Sequence, residues 1–297
     1  MADIFTKYGY VPNEEAIGRS LELIAGNLEG TMNPGILMDC FSMMDVTTLN
    51  SHDTPESVAR LMDKVNNLRV DYPAYPSPAS VCVYPNFAGV VRSKRVDPAL
   101  HVTTVAGCFP SSQSFLEVKV AECVKAVESG ADEVDIVLAL NSFMAGDFAA
   151  AGEEIRAMRE AVDQAGKKVG RRIVLKVILE TGLLVTPERI ANASFLAMEE
   201  GADFIKTSTG KVSVNATPVA AYVMCECIKA FHHRTGRKVG FKAAGGISSA
   251  MDAMCYYSIV STILGKEWLS KDYFRFGVSR LANNLMSAIE QKTVTVF

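Results

Sequence analysis

Short apolar, β-branched segments recur eight times along this chain, each separated from the next by a stretch long enough for a helix. They are "CFSMMDVTTL" (40–49), "SVCVYP" (80–85), "HVTTVAGCF" (101–109), "EVDIVLAL" (133–140), "RIVLKVILE" (172–180), "DFIKTSTG" (203–210), "VGFKAAGG" (239–246) and "FRFGVS" (274–279). Most read as continuous apolar runs, the pattern of parallel strands covered on both faces. In the intervening "QSFLEVKVAECVKAVESG" (113–130), Leu116, Val120, Cys123, Val124 and Val127 share one helical face, and Gly130 suits a C-terminal cap. The junction "ESGADEVDIV" (128–137) returns as "EEGADFIKT" (199–207), so one helix–turn–strand unit is used twice. Eight such units with right-handed crossovers close into a single (β/α)8 TIM barrel. An open doubly wound sheet is the main rival, and the missing GxGxxG after the first strand weighs against it. One domain over 1–297 is expected, with the barrel at 40–285. Residues 1–35, including "NEEAIGRSLELIAGN", would form an N-terminal extension whose extra helix caps the barrel bottom.

The formal net charge of −3, with no long basic run, argues against a nucleic-acid or membrane-surface partner. No apolar run reaches the roughly 18 residues of a membrane span, and the first fifteen residues lack the apolar core of a secretion signal. A cytoplasmic location is expected. The seven cysteines fall mostly inside apolar patterns and read as free thiols in a reducing compartment. Cys225 and Cys227 lie in a helical run where i and i+2 diverge, so no metal role is assigned to them. His232 and His233 read as a solvated helix end, and the four histidines show no HExxH spacing.

Functional groups of such a barrel gather at the C-terminal ends of the strands, here Asp45, Asp135, Lys176, Glu180, Lys206, Lys242 and Ser279. Lys206 and Lys242 occupy matching places on consecutive strands, which run about 4.8 Å apart. Two such ammonium groups in a poorly hydrated site both favour the neutral, nucleophilic amine. One lysine alone would read as a side chain reaching solvent from a strand end; two at equivalent positions, each before a glycine-containing loop, point to function. Those loops, "STGK" (208–211), "AGG" (244–246) and "FGVS" (276–279), suit a phosphorylated ligand held by backbone N–H groups and a helix N-terminus. Asp135, inside an otherwise apolar strand, reads either as a buried ion-pair partner or as a general acid/base working with Lys242. Asp45 shares that ambiguity, and Lys176 with Glu180 reads as a structural ion pair beside the site.

The ordered motifs "DVTTLN", "VCVYP", "EVDIV", "LKVILETG", "DFIKTSTGKVSVNAT", "VGFKAAGGI" and "FRFGVS" resemble the deoxyribose-phosphate aldolases, which are class I aldolases. The resemblance runs from about residue 40 to about 285. It implies a lyase that cleaves 2-deoxy-D-ribose 5-phosphate reversibly to glyceraldehyde 3-phosphate and acetaldehyde, in deoxyribonucleotide breakdown, through a Schiff base and with no metal or other cofactor. By the same resemblance Lys206 carries the Schiff base, Lys242 lowers its pKa, and Asp135 exchanges protons with Lys242 and a water. Gly210, Lys211, Gly245, Gly246 and Ser279 would clamp the phosphate, and Thr209 and Asp45 would hold substrate hydroxyls. Homodimers are common in the family. Three departures stand out: Ala243 where proline is usual, Arg280 where a small residue is usual, and a "TVTVF" end where some members carry a tyrosine. The alternatives are another class I aldolase acting on a different sugar phosphate, a pyridoxal-phosphate barrel enzyme, and a sugar-phosphate sensor without turnover.

Overall fold

The computed structural model describes residues 4–297. Its eight parallel strands are β1 (Met44–Thr47), β2 (Ser80–Val83), β3 (His101–Val105), β4 (Glu133–Val137), β5 (Val174–Ile178), β6 (Phe204–Lys206), β7 (Gly240–Ala244) and β8 (Phe274–Val278). They pair in sequence order, and β1 closes on β8, giving the expected barrel. Helices lie between successive strands and pack around the outside, with Leu116–Glu128 against Phe148–Lys168 and Pro187–Glu199 against Pro218–Thr235.

The strands are less uniformly apolar than their composition suggests, because alternate positions differ in kind. Val134, Ile136, Leu175, Val177, Ile205, Phe241, Phe274 and Phe276 belong to the apolar core cluster. Between them sit Glu133, Asp135, Lys176, Lys206, Lys242 and Arg275, all at most 3% exposed. Since successive strand residues face opposite sides, one face of the barrel wall packs on the helices and the other carries charge.

The N-terminal region departs from expectation in two ways. Among the described residues it holds four helical segments before β1: Ile4–Tyr8, Glu14–Ala25, Leu28–Thr31 and Pro34–Ser42. The last takes in Cys40–Ser42, which sequence pattern placed in the first strand. Asn33 accepts a hydrogen bond from Ile36 N, and Pro34 opens the first turn, a start signal strong enough to turn this apolar run helical. Glu14–Ala25, capped by Asn13, packs against Pro218–Thr235 and Ala250–Leu264 on the barrel's flank and not beneath it. At the N-terminal end of the strands a cavity of about 340 Å³ is lined by His101, Glu133, Phe204 and Arg275. Strand β7 runs unbroken through Ala243, which pairs with Phe276, so the alanine at the usual proline position extends the ladder.

Candidate active site

Register places the lysines. Lys206 and Lys242 are direct partners on β6 and β7, Lys242 partners Arg275 on β8, and Asp135 on β4 partners Lys176 on β5. Asp135 is fully buried and bridges all three lysines. Its Oδ1 accepts from Lys176 Nζ at 2.8 Å, and its Oδ2 accepts from Lys206 Nζ at 2.9 Å and Lys242 Nζ at 2.8 Å. Lys242 also donates to Asp45 Oδ2 at 2.5 Å. Beneath this, Arg275 joins Asp45 (2.5 Å) and Glu133 (2.8 Å), and Lys176 joins Glu133 at 2.5 Å.

The two paired lysines are not equivalent. For Lys206, burial disfavours the ammonium and outweighs the attraction of Asp135; with Lys242 adding repulsion, its pKa falls below the ordinary lysine value. Burial opposes the charge on Lys242 too, but Asp135 and Asp45 together overcome it and raise its pKa. Lys176 is likewise raised against its burial, chiefly by Asp135 and Glu133. Asp135 is held low, because Lys176, Lys206 and Lys242 outweigh its desolvation. The expectation that both lysines favour the neutral form therefore holds in direction for Lys206 alone. The difference is one of partners, since Lys242 has two carboxylates and Lys206 has one.

A cavity of about 290 Å³ lies at the C-terminal ends of the strands, lined by Lys206, Thr209, Gly210, Lys211, Gly245, Gly246, Gly277 and Ser279 together with the Thr47–Asn50 segment. Lys206 is the one member of the buried lysine trio on this wall; its side chain is 4% exposed, while those of Lys176 and Lys242 are 0% exposed. Gly245 and Gly246 have φ of +85° and +80°, left-handed backbone that glycine adopts without a Cβ penalty. Gly277 serves close approach: a Cβ there would stand 2.9 Å from Lys242 Cε and 2.9 Å from Ala244 Cβ. Helix Ala250–Leu264 has its N-terminus closed by a Ser249–Asp252 capping box, whereas Leu281–Glu290 starts with no side-chain cap beside Ser279 and Arg280. That second helix start borders a recess lined by Gly245, Gly246, Ser279 and Arg280.

Asp45 does not line this cavity; both its oxygens are engaged by Lys242 and Arg275 in the barrel interior. Thr209 lines it, but its hydroxyl donates to Glu180 Oε2 at 2.5 Å and accepts from Lys211 N at 3.1 Å. Its work is to shape the loop. Glu180 also accepts from Thr209 N at 3.1 Å, so Glu180 and Lys176 do not pair with each other. Lys211 Nζ donates to the Leu49 carbonyl at 2.6 Å. Glu133 and Arg275 were missed in the sequence. Their signal was available as lone charges at alternate positions of "EVDIV" and "FRFGV", but their partners lie on distant strands. Asn215 was also missed: it lines the cavity, and its Oδ1 has no hydrogen-bond partner among the described residues.

The closed parallel barrel thus carries a cavity-facing lysine, a buried lysine beside it and a carboxylate between them. The chain belongs to the DeoC/LacD family aldolases, whose family model matches residues 40–260. It is 38% identical over 281 residues to a Caenorhabditis elegans protein named "Putative deoxyribose-phosphate aldolase", covering 93% of this chain and 89% of that one. Among solved structures, the deoxyribose phosphate aldolase of Aeropyrum pernix, described as tetrameric, is 25% identical with a TM-score of 0.68 over 89% of this chain and 96% of that one. An aldolase called QR15 is 26% identical with a TM-score of 0.66, over 85% and 97% of the two chains. Among the described residues no helix is long and apolar enough to cross a membrane.

Proposed function

We propose that this aldolase works through a Schiff base on Lys206 and cleaves 2-deoxy-D-ribose 5-phosphate to glyceraldehyde 3-phosphate and acetaldehyde. The observation that carries the reading is the asymmetry of the paired lysines. Lys206 reaches the cavity and is shifted toward the neutral amine, while its register partner Lys242 is buried and held as the ammonium.

The Lys206 amine adds to the substrate C1 carbonyl, and loss of water leaves an iminium. Removal of the C3 hydroxyl proton, through a water toward the Asp135–Lys242 pair, lets the C2–C3 bond break. Its electron pair enters the C1–C2 bond, and the iminium becomes a neutral enamine as glyceraldehyde 3-phosphate leaves. Protonation at C2 restores an iminium, which water hydrolyses to acetaldehyde and the free amine. Lys242, held between Asp45 and Asp135, keeps the carboxylate ionised and oriented. The iminium on Lys206 is the electron sink, so the scheme calls on no metal or organic cofactor.

The phosphate end fits the other side of the cavity. Lys211 supplies a cation, Gly245 and Gly246 bring backbone close, and the uncapped helix start after Ser279 offers N–H groups. Self-association, described for the Aeropyrum pernix enzyme, is part of the same reading. The test is borohydride trapping with acetaldehyde or deoxyribose 5-phosphate, with peptide mapping and Lys206→Ala alongside. A stable adduct on Lys206, absent in the variant, is expected; an adduct on Lys242 alone, or none, would refute the assignment.

A further inference from the structure

Lys206 stands on a buried charge cluster that runs down the barrel interior. It contains three carboxylates, Asp45, Glu133 and Asp135, and four bases, Lys176, Lys206, Lys242 and Arg275, linked by contacts of 2.5 to 3.8 Å. Every member is at most 3% exposed. With Lys176, Lys242 and Arg275 charged, the three carboxylates are already matched, so the buried set is neutral only when Lys206 is an amine. In a poorly hydrated interior an unmatched charge is costly.

We propose that Glu133 and Arg275, which do not line the substrate cavity, are positioning residues that set the charge state of Lys206 by fixing this balance from the floor of the barrel. The reading rests on the amine role proposed for Lys206 and extends it to a second set of residues. Glu133 accepts from Arg275 and Lys176 within the cluster. Its remaining neighbours, both from β3, are His101 Nδ1 at 2.6 Å and the Thr103 hydroxyl, which donates to Glu133 at 2.9 Å and is paired in turn with the Ser80 hydroxyl of β2 at 2.8 Å. Arg275 faces Asp45 and Glu133. Around Lys206 the other titratable groups are Asp135 and Lys242 within the wall, the buried thiol of Cys82, and Lys211 on the cavity side. The burial-raised thiol of Cys82 adds no charge at neutral pH, and His101, at the cavity below, is the exposed end of the chain.

The sign of the effect separates this role from a merely structural one. Glu133→Gln removes a negative charge from the cluster, so Lys206 should become an amine at lower pH. Arg275→Gln removes a positive charge and should do the reverse. Glu133 is linked to Lys206 through Lys176 (2.5 Å) and Asp135 (2.8 and 2.9 Å), which keeps the two charges within about 10 Å, where one unit charge at an effective dielectric constant of about 20 moves a pKa by about one unit.

The experiment follows the rate of borohydride trapping of acetaldehyde on Lys206 against pH in the full chain, with thermal melting to show that each variant is folded. The acid limb is expected to shift down by about one pH unit in Glu133→Gln and up by about one unit in Arg275→Gln. The charge-conserving Arg275→Lys and Glu133→Asp should return close to the unaltered profile. If either neutral variant does not fold, the other one with its charge-conserving partner decides the sign. Limbs that stay in place, that move in the same direction, or that move equally in the charge-conserving variants would overturn the proposal. An adduct on Lys206 with unmoved limbs removes only this inference; absence of any Lys206 adduct in the unaltered protein removes it together with the Schiff-base reading.

Discussion

Glu180→Gln tests how the loop after β6 is held. Glu180 is 2% exposed and sits at φ +55°, a left-handed conformation that costs a residue with a Cβ about 1–2 kcal/mol. The surroundings hold it there because its carboxylate accepts both the N–H and the hydroxyl of Thr209, whose Oγ1 in turn accepts from Lys211 N. Glutamine keeps the shape but presents one acceptor and one NH2 donor to two donors. Losing one charge-assisted bond and leaving a donor opposed should cost about 1.5–3 kcal/mol. In a domain of this size that lowers the melting temperature by roughly 2–5 °C. The damage falls on the loop bearing Lys211 and not on Lys206, so KM for the phosphorylated sugar should rise about tenfold with kcat within about threefold. Trapping of acetaldehyde on Lys206 should be unchanged, since acetaldehyde carries no phosphate. Steady-state kinetics with deoxyribose 5-phosphate, set beside trapping with acetaldehyde, reads both. A normal KM with a collapsed kcat, or loss of acetaldehyde trapping, would refute the argument that Glu180 acts through the anion-holding loop.

Lys242→Met removes the cation that, through Asp135 Oδ2, lies at most about 6 Å from the Lys206 nitrogen; the acid limb of Lys206 trapping should rise by about two pH units, and a limb that stays in place would sink the account. Lys211→Met should weaken the phosphorylated substrate by about 1.5–3 kcal/mol and leave unphosphorylated deoxyribose unaffected, which kcat/KM for the two sugars decides. Asp45, Glu133 and Asp135 all have folded pKa values below their ordinary ones, held down by buried cations against the cost of burial. Their stabilisation is full above the unfolded carboxylate range, about pH 4, and is lost as pH falls from there through the folded values. Urea midpoints should drop steeply below about pH 4, and a flat profile between neutral pH and pH 3 would contradict the cluster. Gly277→Ala should push against Lys242 Cε and Ala244 Cβ, lowering both the melting temperature and the trapping rate; unchanged values in both would show that Lys242 has room to move.

The chain alone determined the barrel and the lysine pair, because both are written locally. Eight apolar segments spaced by helical ones leave few closed parallel arrangements, and Lys206 and Lys242 each break into their strand's apolar run shortly before a glycine-containing loop. Local pattern failed at residues 40–42, where an apolar run with a strong helix start reads equally well as a strand. It also failed for the helix Glu14–Ala25, whose amphipathic face says that it packs but not on what. What only the tertiary structure decided is which charge meets which. Asp135 reaches Lys206 across 71 residues of sequence and Lys242 across 107, while Asp45 reaches Lys242 across 197. Two lysines with the same local sequence signal part company because barrel closure brings Asp45 and Asp135 to one and Asp135 alone to the other. A pKa depends on burial and on charges within a few ångströms, and those distances do not exist until β1 has closed on β8.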